Sequence, residues 1–262
     1  MGVVRYTFYS EVLREQTYIH AVVPSYEPWR NTEGCTEFYN NYQKRKVLYV
    51  LHGGSDDSSL YLRRTRIEEY AGDMVVIFPE VRNSFYCDMV HGKKYFTYLT
   101  KELPKIVENV FMVSDKREDH YVLGNSMGSH GAFKWALNCP DYFAAAVGMS
   151  GAGDLEELGF YDRMPDRVIN SFGTLEEYRG SYNDFKYLYN KLLADNTNLA
   201  DLPRFYACCG TEDGFYAGAK KFAKDAAAGG FPITWEEGPG GHTWEFWDAW
   251  LPVMINHMLG EE

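Results

Sequence analysis

The sequence has too little positive charge to suit a polyanionic partner. Its 262 residues contain 26 Lys and Arg against 37 Asp and Glu, which gives a formal net charge of −11. Binding to nucleic acid and docking to an anionic membrane both draw on an excess of positive charge. We therefore expect no nucleic-acid partner and no membrane partner.

Long hydrophobic runs and targeting signals are also missing. The longest uncharged, apolar-rich run covers residues 142–153 and is too short to span a bilayer. The first ten residues contain no apolar h-region, and Tyr6 occupies the position where a myristoylation motif has Ser or Thr. These absences predict a cytoplasmic protein.

Cysteine is scarce and does not suggest a disulfide framework. The chain has five cysteines, an odd number. Cys208 and Cys209 are adjacent in a strand-like run, where a disulfide between them would be strained. We expect all five to be reduced thiols in a reducing compartment. The five are Cys35, Cys87, Cys139, Cys208 and Cys209.

Phosphate-loop and metal motifs are absent as well. Gly53-Gly54-Ser55 is not followed by the Gly-Lys-Ser/Thr of a phosphate loop, and no His-Glu-x-x-His spacing occurs among the histidines. The sequence therefore predicts no metal and no cofactor. Its length fits a single α/β domain over residues 1–262 better than two small ones.

What the sequence does contain is a regular alternation of strand-like and helix-like segments. Residues 47–51 and 74–78 are continuous apolar runs, typical of parallel strands covered on both faces, whereas residues 17–23 alternate as a half-exposed strand does. Further strands are predicted at residues 144–149, 205–209 and 233–236, and helices at residues 60–70, 95–110, 216–228 and 244–259. This order predicts an α/β fold, a mostly parallel central sheet with helices on both faces.

One long insertion interrupts this order. Residues 154–202 are rich in Tyr, Phe, Asp and Asn, and glycine and proline separate their short helical periods. Because such an insertion would lie above the carboxyl edge of the sheet, we interpret it as a small cap that shapes a substrate pocket. Aromatic residues commonly line ligand pockets, so we expect pocket-lining roles for Phe160, Tyr161 and Tyr182 of the cap and for Tyr86 outside it.

The segment Gly124-Asn125-Ser126-Met127-Gly128 carries most of the functional information. A nucleophile elbow needs a serine with glycine two positions to either side, because its turn is too tight for Cβ atoms near the serine. Residues 121–123 form a strand-like run before it, and apolar residues follow at helical spacing until Pro140. This context predicts that Ser126 is a covalent nucleophile.

A serine nucleophile needs a base to take its proton and an acid to orient that base. On such an elbow, the acid and then the histidine follow the serine along the chain. Downstream of the cap, His242 lies in a glycine-rich loop and is the expected base, whereas His257 lies late in an amphipathic helix. Glu212 and Asp213 both follow a buried strand, and by geometry alone either one fits as the acid; Asp248 reads as a solvated helical acid.

The tetrahedral intermediate of such a reaction needs backbone N–H donors. One comes from the residue after the nucleophile, here Met127, and the other from the loop after an early strand. The segment Leu51-His-Gly-Gly-Ser55 fits that loop, and we select Gly54 over Gly53 as the second donor. His52 is expected to brace this loop.

Taken together, these segments resemble the esterase D branch of the α/β-hydrolases. That branch includes tributyrin esterases, feruloyl and acetyl-xylan esterases, S-formylglutathione hydrolases and mycolyltransferases. The resemblance implies an α/β-hydrolase fold and a triad of Ser126, Asp213 and His242, and so favours Asp213 over Glu212. The matching segments cover nearly the whole chain: Leu51-His-Gly-Gly54, Ser84-Phe-Tyr-Cys-Asp-Met89, Gly92-Lys-Lys-Tyr95, Glu102-Leu-Pro104, Gly124-Asn-Ser-Met-Gly128, Gly180-Ser-Tyr-Asn-Asp184, Cys209-Gly-Thr-Glu-Asp213 and Gly240-Gly-His-Thr-Trp-Glu-Phe-Trp247.

The chain departs from the family pattern beside the serine. Related elbows usually carry a small or apolar residue before the serine and Gly-Tyr or Gly-Phe after the second glycine, whereas this chain has Asn125 and Ser129-His130. His130 either lines the pocket or packs at the helix start, and the direction of successive helical side chains favours packing. The departures bear on substrate preference more than on mechanism.

The resemblance implies a serine carboxylesterase with a small-molecule substrate. Short-chain acyl esters and aromatic esters, such as acetyl and feruloyl esters, fit the aromatic cap about equally, including esters borne on sugars. Two alternatives stay open: an acyltransferase that passes the acyl group to an alcohol or sugar, and a catalytically silent binding module. A homo-oligomer also stays open, because an exposed aromatic patch on the cap would favour self-association.

Overall fold

An eight-stranded sheet forms the centre of the computed structural model, which describes residues 1–195 and 198–260. The strands are β1 (Gly2–Ser10), β2 (Glu15–Val23), β3 (Val47–Leu51), β4 (Val75–Pro79), β5 (His120–Asn125), β6 (Ala145–Met149), β7 (Arg204–Gly210) and β8 (Ile233–Gly238). They lie side by side in the order β1-β2-β4-β3-β5-β6-β7-β8. Pairing is antiparallel between β1 and β2 and between β2 and β4, and parallel from β4 to β8. The predicted mostly parallel α/β sheet is confirmed.

The middle of the sheet is its most buried part. Strands β3, β4, β5 and β6 consist wholly of buried residues. Their near-continuous apolar sequences are what a parallel strand needs when helices cover both of its faces. Strand β1 was not indicated by the sequence, because this edge strand is largely exposed and mixes polar with apolar residues.

Twelve α-helices occur in the part of the chain that the structure describes. They are α1 (Cys35–Asn40), α2 (Leu60–Arg64), α3 (Ile67–Tyr70), α4 (Tyr95–Thr97), α5 (Leu103–Val110), α6 (Met127–Asn138), α7 (Phe160–Arg163), α8 (Pro165–Phe172), α9 (Leu175–Tyr178), α10 (Phe185–Ala194), α11 (Tyr216–Ala228) and α12 (Trp244–Leu259). The bounds of α11 and α12 are those predicted from the sequence.

Two of the predicted helices are irregular for local reasons. The helix predicted over residues 60–70 is interrupted at Thr65, whose hydroxyl donates to Tyr61 O and accepts from Ile67 N. The helix predicted over residues 95–110 is continuous, but its middle, Tyr98–Glu102, is π-helical. Pro104 follows that stretch and has no N–H to donate, so a wider turn there avoids an unmet helical hydrogen bond.

The cap at residues 154–202 packs in two different places. Helices α7 and α8 lie beside the loops at the carboxyl edge of the sheet, where Val90 N donates to Ser171 O. Helix α10 instead covers α6, and the Phe185 ring stacks on His130 with centroids 4.3 Å apart. Of the part of the cap that the structure describes, α7 and α8 therefore lie at the sheet edge and α10 does not, which is less than the sequence led us to expect.

Hydrophobic side chains form one core on each face of the sheet. The larger core joins the sheet to α6 and to the cap, and includes Tyr49, Trp135 and Phe185. The other lies between the sheet and α12, around Leu251 and Met254. Among the described helices, none combines the length and the apolar character needed to cross a membrane.

Candidate active site

Ser126 lies in a strained turn between β5 and α6. Its φ of 52° and ψ of −118° lie outside the regions that L-residues prefer, which is typical of a nucleophile elbow. A Cβ atom added at Gly124 would lie 2.3 Å from the Gly128 backbone, and one added at Gly128 would lie 1.9 Å from Leu51 O. Side chains are therefore excluded at both glycines, and the Ser126 side chain is directed away from the crowded inner face of the turn.

Three side chains from separate loops form one hydrogen-bond chain at the sheet edge. His242 Nε2 lies 2.9 Å from Ser126 Oγ, and His242 Nδ1 lies 2.8 Å from Asp213 Oδ2. The Asp213 side chain is fully buried, whereas the His242 side chain is 33% exposed. Because an ionised Asp213 can only accept, Nδ1 carries the ring proton and Nε2 can accept from the serine hydroxyl.

Hydrogen bonds keep Asp213 ionised despite its burial. Burial by itself raises the pKa of this carboxyl, but hydrogen bonds from His242 and from Phe215 N outweigh it and hold the pKa below its ordinary value. The Ser150 hydroxyl also lowers the pKa of Asp213, to a smaller extent. Ser150 Oγ in turn accepts a hydrogen bond of 3.0 Å from Trp247 Nε1. This support fixes the Asp213 side chain in place.

The other acids and the other histidine considered from the sequence have different neighbours. Glu212 is exposed. His257 Nε2 lies 3.5 Å from Glu236 Oε1, on the far part of α12. Asp248 Oδ1 accepts a hydrogen bond from Arg66 N. None of these contacts joins the Ser126 hydrogen-bond chain.

Hydrogen bonds of the His52 side chain brace the loop after β3. His52 Nε2 lies 3.4 Å from Val81 N and accepts its hydrogen bond, so the Nδ1 proton is available to Gly53 O at 2.9 Å. The buried Tyr86 hydroxyl donates to His52 O at 2.8 Å. The bracing role expected for His52 agrees with these contacts.

This braced loop touches the elbow. A Cβ atom added at Gly53 would lie 3.6 Å from Ser126 Cβ, so the two backbones approach closely beside the serine. Gly54 follows Gly53 in the chain and Met127 follows Ser126, so the two residues predicted as oxyanion donors lie next to this contact. Arg167 of the cap comes close to both: its Nη2 lies 3.8 Å from Met127 Sδ and 2.5 Å from the position of a Cβ atom at Gly54.

Three phenylalanine rings pack one against the next in a row that ends at His242. Phe160 stacks on Phe215 with centroids 5.2 Å apart, and Phe85 meets the edge of Phe160 at 5.7 Å. Phe215 in turn lies 5.2 Å from the His242 ring. We name Phe85, Phe160 and Phe215 the aromatic row; Phe160 is the one member that was predicted as a pocket residue.

The other three predicted pocket residues have different contacts. Tyr86 is fully buried beneath the loop after β3. The Tyr161 hydroxyl donates to Thr174 O within the cap. Tyr182 stacks on Phe96, with centroids 4.9 Å apart, beside the far end of α6. The full burial of Tyr86 corrects the expectation that it lines a pocket, because aromatic content alone does not reveal how tertiary packing directs a side chain. Pocket lining by Tyr161 and Tyr182, which are half-buried, stays a prediction.

The two unusual elbow neighbours pack inward. Asn125 Oδ1 accepts from Tyr61 OH at 3.0 Å, and Asn125 Nδ2 lies 3.2 Å from the Cβ position at Gly53. His130 is 1% exposed, and burial holds the pKa of its ring well below the usual value. Within the described residues neither His130 ring nitrogen has a hydrogen-bond partner. His130 is thus a neutral packing residue, as its position in the helix predicted.

Several residues near the serine were not identified from the sequence. Phe215 follows Asp213 by two positions, a spacing that points to the same loop. Arg163 ends α7 and Arg167 lies in α8, so no regular helical spacing in the sequence relates the two arginines to the site. Ser150 follows β6, and its positive φ of 54° could be seen only in the structure. Among the described residues, no group of three or more His, Cys, Asp or Glu is arranged to hold a metal ion.

A comparison with known proteins finds a matching family and full-length relatives. Residues 36–258 match a family model, Esterase, described as "Putative esterase". An acetyl esterase from Caldicellulosiruptor saccharolyticus is 26% identical over 96% of each chain.

Solved structures agree with this match. A fluorophosphonate-binding serine hydrolase, FphF from Staphylococcus aureus, is 28% identical, with a TM-score of 0.86 and 98% of each chain covered. An S-formylglutathione hydrolase, FrmB from the same organism, is also 28% identical, with a TM-score of 0.83 and 98% of each chain covered. The similarity therefore extends over the sheet, the elbow and the cap together.

Proposed function

Because the chain belongs to the Esterase family of α/β-hydrolases and is a carboxylic ester hydrolase, we propose that it cleaves esters with Ser126, His242 and Asp213. Ser126 is the nucleophile, His242 the general base and acid, and Asp213 the residue that orients His242. The observation that carries this proposal is the hydrogen-bond chain from Ser126 Oγ through the His242 ring to Asp213.

The hydrogen-bond chain sets the direction in which the proton moves during acylation, from Ser126 to His242. His242 Nε2 takes the hydroxyl proton while Ser126 Oγ attacks the ester carbonyl carbon. The carbonyl oxygen gains negative charge, which the backbone N–H groups of Met127 and Gly54 stabilise. The tetrahedral intermediate then expels the alcohol oxygen, which takes the proton from His242, and the acyl group stays on Ser126.

Deacylation repeats these steps with water. His242 Nε2 takes a proton from a water molecule, whose oxygen attacks the acyl-enzyme carbonyl. Collapse of the second intermediate returns the proton to Ser126 Oγ and releases the carboxylic acid. Asp213 stays ionised throughout and stabilises the positively charged ring, for which its lowered pKa is suited.

The aromatic row favours substrates with a short acyl chain or an aromatic group. Phe215 contacts the His242 ring and is the half-buried end of the row, whereas Phe160 and Phe85 are buried behind it. A substrate ring or short apolar group can pack on Phe215. The acetyl esterase relative supports an acetyl group or another small acyl group. We propose short-chain acyl and aromatic esters, including sugar-borne ones, as the substrate class.

Replacing Ser126 with Ala tests the catalytic proposal. Turnover of p-nitrophenyl acetate should fall by a factor of about 10⁴ or more, because the nucleophile is lost. Labelling of the wild-type protein by a fluorophosphonate should also disappear. Ser129→Ala is a matched control: Ser129 is a buried serine in the first turn of α6, just after the elbow, and its variant should keep both activity and labelling.

Three outcomes contradict parts of the proposal. A Ser126→Ala protein that still turns over the ester excludes Ser126 as the nucleophile. A wild-type protein with neither turnover nor labelling favours a catalytically silent binding module. Acyl transfer to added alcohols or sugars in preference to water indicates an acyltransferase.

We also propose a reducing compartment such as the cytoplasm. All five cysteines are free in the structure. Burial raises the pKa of Cys208 well above its usual value and that of Cys209 to about 12, so both are unreactive thiols. A thiol count on the protein unfolded under non-reducing conditions tests this, and fewer than five thiols would contradict it.

A further inference from the structure

Two cap arginines point toward the candidate active site. Arg163 Cζ lies 5.3 Å from the centre of the Phe215 ring, and Arg167 Cζ lies 5.2 Å from the centre of the Phe85 ring. These rings are the two ends of the aromatic row. The arginines therefore flank the row that leads to His242, one at each end.

Arg167 is held against the loop that carries the proposed oxyanion donor. Its Nη2 donates to Asn83 Oδ1, which also accepts from Ser55 N at 2.6 Å. Asn83 thus ties the cap to the residue that follows Gly54. A Cβ atom at Gly54 would lie 2.5 Å from Arg167 Nη2 and 3.1 Å from Nη1. The guanidinium therefore lies within reach of a ligand bound at Ser126.

Neither arginine has an acidic partner in the described part of the chain. The ion pairs found there involve other basic groups, such as Arg179 with Glu156 and Arg63 with Asp57. Arg167 is half-buried, and its Nε has no hydrogen-bond partner there. Burial lowers the pKa of Arg167, but an arginine pKa lies so high that the group keeps its charge. In a chain with 37 acidic residues and 26 basic ones, two uncompensated guanidinium groups beside one site form a local positive region.

We propose that Arg163 and Arg167 bind an anionic group, such as a carboxylate, on the ester substrate. The inference rests on the proposed function, because it takes Ser126 as the place where the ester reacts. Arginine suits this role, since its planar donors pair with both oxygens of a carboxylate. Arg167 Nη1, which lies 3.1 Å from the Cβ position at Gly54, is the donor we assign to the ligand, while Nη2 donates to Asn83. The substrate class becomes esters with a negative charge near the scissile bond.

Two pairs of esters locate the charge on the substrate. For the acyl half, p-nitrophenyl hydrogen adipate is compared with p-nitrophenyl hexanoate. For the alcohol half, 4-acetoxybenzoate is compared with 4-acetoxyacetophenone. In each pair the reacting carbonyl is similar and only one member carries a carboxylate, so the ratio of their kcat/KM values measures preference for the anion.

The variants are Arg167→Met, Arg163→Met and the double variant. In at least one pair, Arg167→Met should lower the anionic-to-neutral ratio by about 10- to 100-fold, the range for loss of a hydrogen bond between charged groups. The loss should appear mainly in KM. Arg167→Lys should recover part of the ratio, and Arg163→Met should have a smaller effect because Arg163 is exposed. The pair that responds shows which half of the ester carries the charge.

Arg179→Met is the matched control. Arg179 is another cap arginine, but it is already paired with Glu156, so its replacement should leave the ratio within about twofold. An equal fall of both members of each pair in Arg167→Met would overturn the proposal, because Arg167 would then act on a feature common to all esters. Unchanged ratios in the double variant would also overturn it. Both results are separate from the Ser126→Ala test, which asks only whether Ser126 reacts.

Discussion

The sheet edge and the cap contribute different kinds of residues to the candidate site. The sheet edge supplies Ser126, Asp213 and His242 from loops that begin at the ends of strands, and each has a hydrogen-bond partner in the set. The cap supplies Phe160 and two arginines that have no acidic partner among the described residues. The first set is complete without a ligand, whereas the second is suited to contact one.

From this difference we infer that the sheet edge carries the chemistry and that the cap selects the substrate. Loops at the carboxyl edge of a parallel sheet meet in space whatever lies above them, so a catalytic set built there does not depend on the cap. The cap can then vary its charge and aromatic content without disturbing that set. Variants of the sheet edge should therefore change turnover of every ester, and variants of the cap should change the choice between esters.

Asp213→Asn should produce the largest effect of the predictions that follow. An amide at this position can hold His242 with the wrong nitrogen protonated, and kcat should fall by about 10⁴-fold for all esters. Glu212→Gln is the matched control: Glu212 is the exposed neighbour in the same loop, and its variant should keep activity within about twofold. Steady-state kinetics on two esters checks both. A loss confined to one ester would break the separation between sheet edge and cap.

The sheet edge was largely predictable from the sequence, for a physical reason. Parallel central strands need continuous apolar runs, the elbow needs glycines at positions 124 and 128, and the residues after each strand must lie at one edge. Those constraints are local or topological, so the approach of Ser126 and His242 at this edge could be predicted from residue types and order. The choice of Asp213 over Glu212 needed more than spacing, because both follow the same strand.

The cap was much less predictable. Its aromatic content indicated a pocket, but Tyr182 and Phe185 pack beside or on α6, and only Phe160 joins the aromatic row. Which face of a short helix turns to the site depends on packing against other segments, and no local pattern records it. The same reason hid the approach of Arg167 to the Gly54 loop.

Lys134 lies where α6 meets the cap and is fully buried. Its Nζ donates to Phe85 O at 2.7 Å and lies 4.9 Å from the centre of the Phe172 ring. Burial lowers its pKa from 10.5 to about 8, against smaller opposing effects of Cys87 and Asp88. The interface between sheet and cap thus contains a charge that the folded state disfavours.

This burial predicts a pH dependence of stability. Between about pH 8 and pH 10.5 the unfolded chain binds more protons at Lys134 than the folded chain does, so stability rises with pH in that window. Relative to Lys134→Met, the wild-type free energy of unfolding should increase by about 2 kcal/mol from pH 7 to pH 10. Urea unfolding of both proteins at the two pH values checks this. If the difference in free energy of unfolding between the two proteins were the same at both pH values, Lys134 would keep an ordinary pKa and this interface would be hydrated.

Thr174→Ala tests whether the cap and the sheet unfold together. Thr174 caps α9: its hydroxyl accepts from Glu177 N, and Glu177 Oε2 accepts from Thr174 N. Loss of such a cap costs about 1 kcal/mol. Because Tyr178 at the end of α9 belongs to the same hydrophobic core as Trp135 of α6, we predict that the whole chain is one cooperative domain and that this loss appears in global unfolding.

Urea unfolding and hydrogen exchange of the α9 amides separate the two cases. If the cap and the sheet form one unit, the urea midpoint falls without a change in slope, and the α9 amides lose the same protection as amides in β5. Thr36→Ala, at an exposed threonine in α1, is the control and should leave the midpoint nearly unchanged. Faster exchange confined to α9 with an unchanged midpoint would show that the cap opens by itself. Cap and sheet edge would then differ in stability as well as in chemistry, and substrate entry would need only the cap to move.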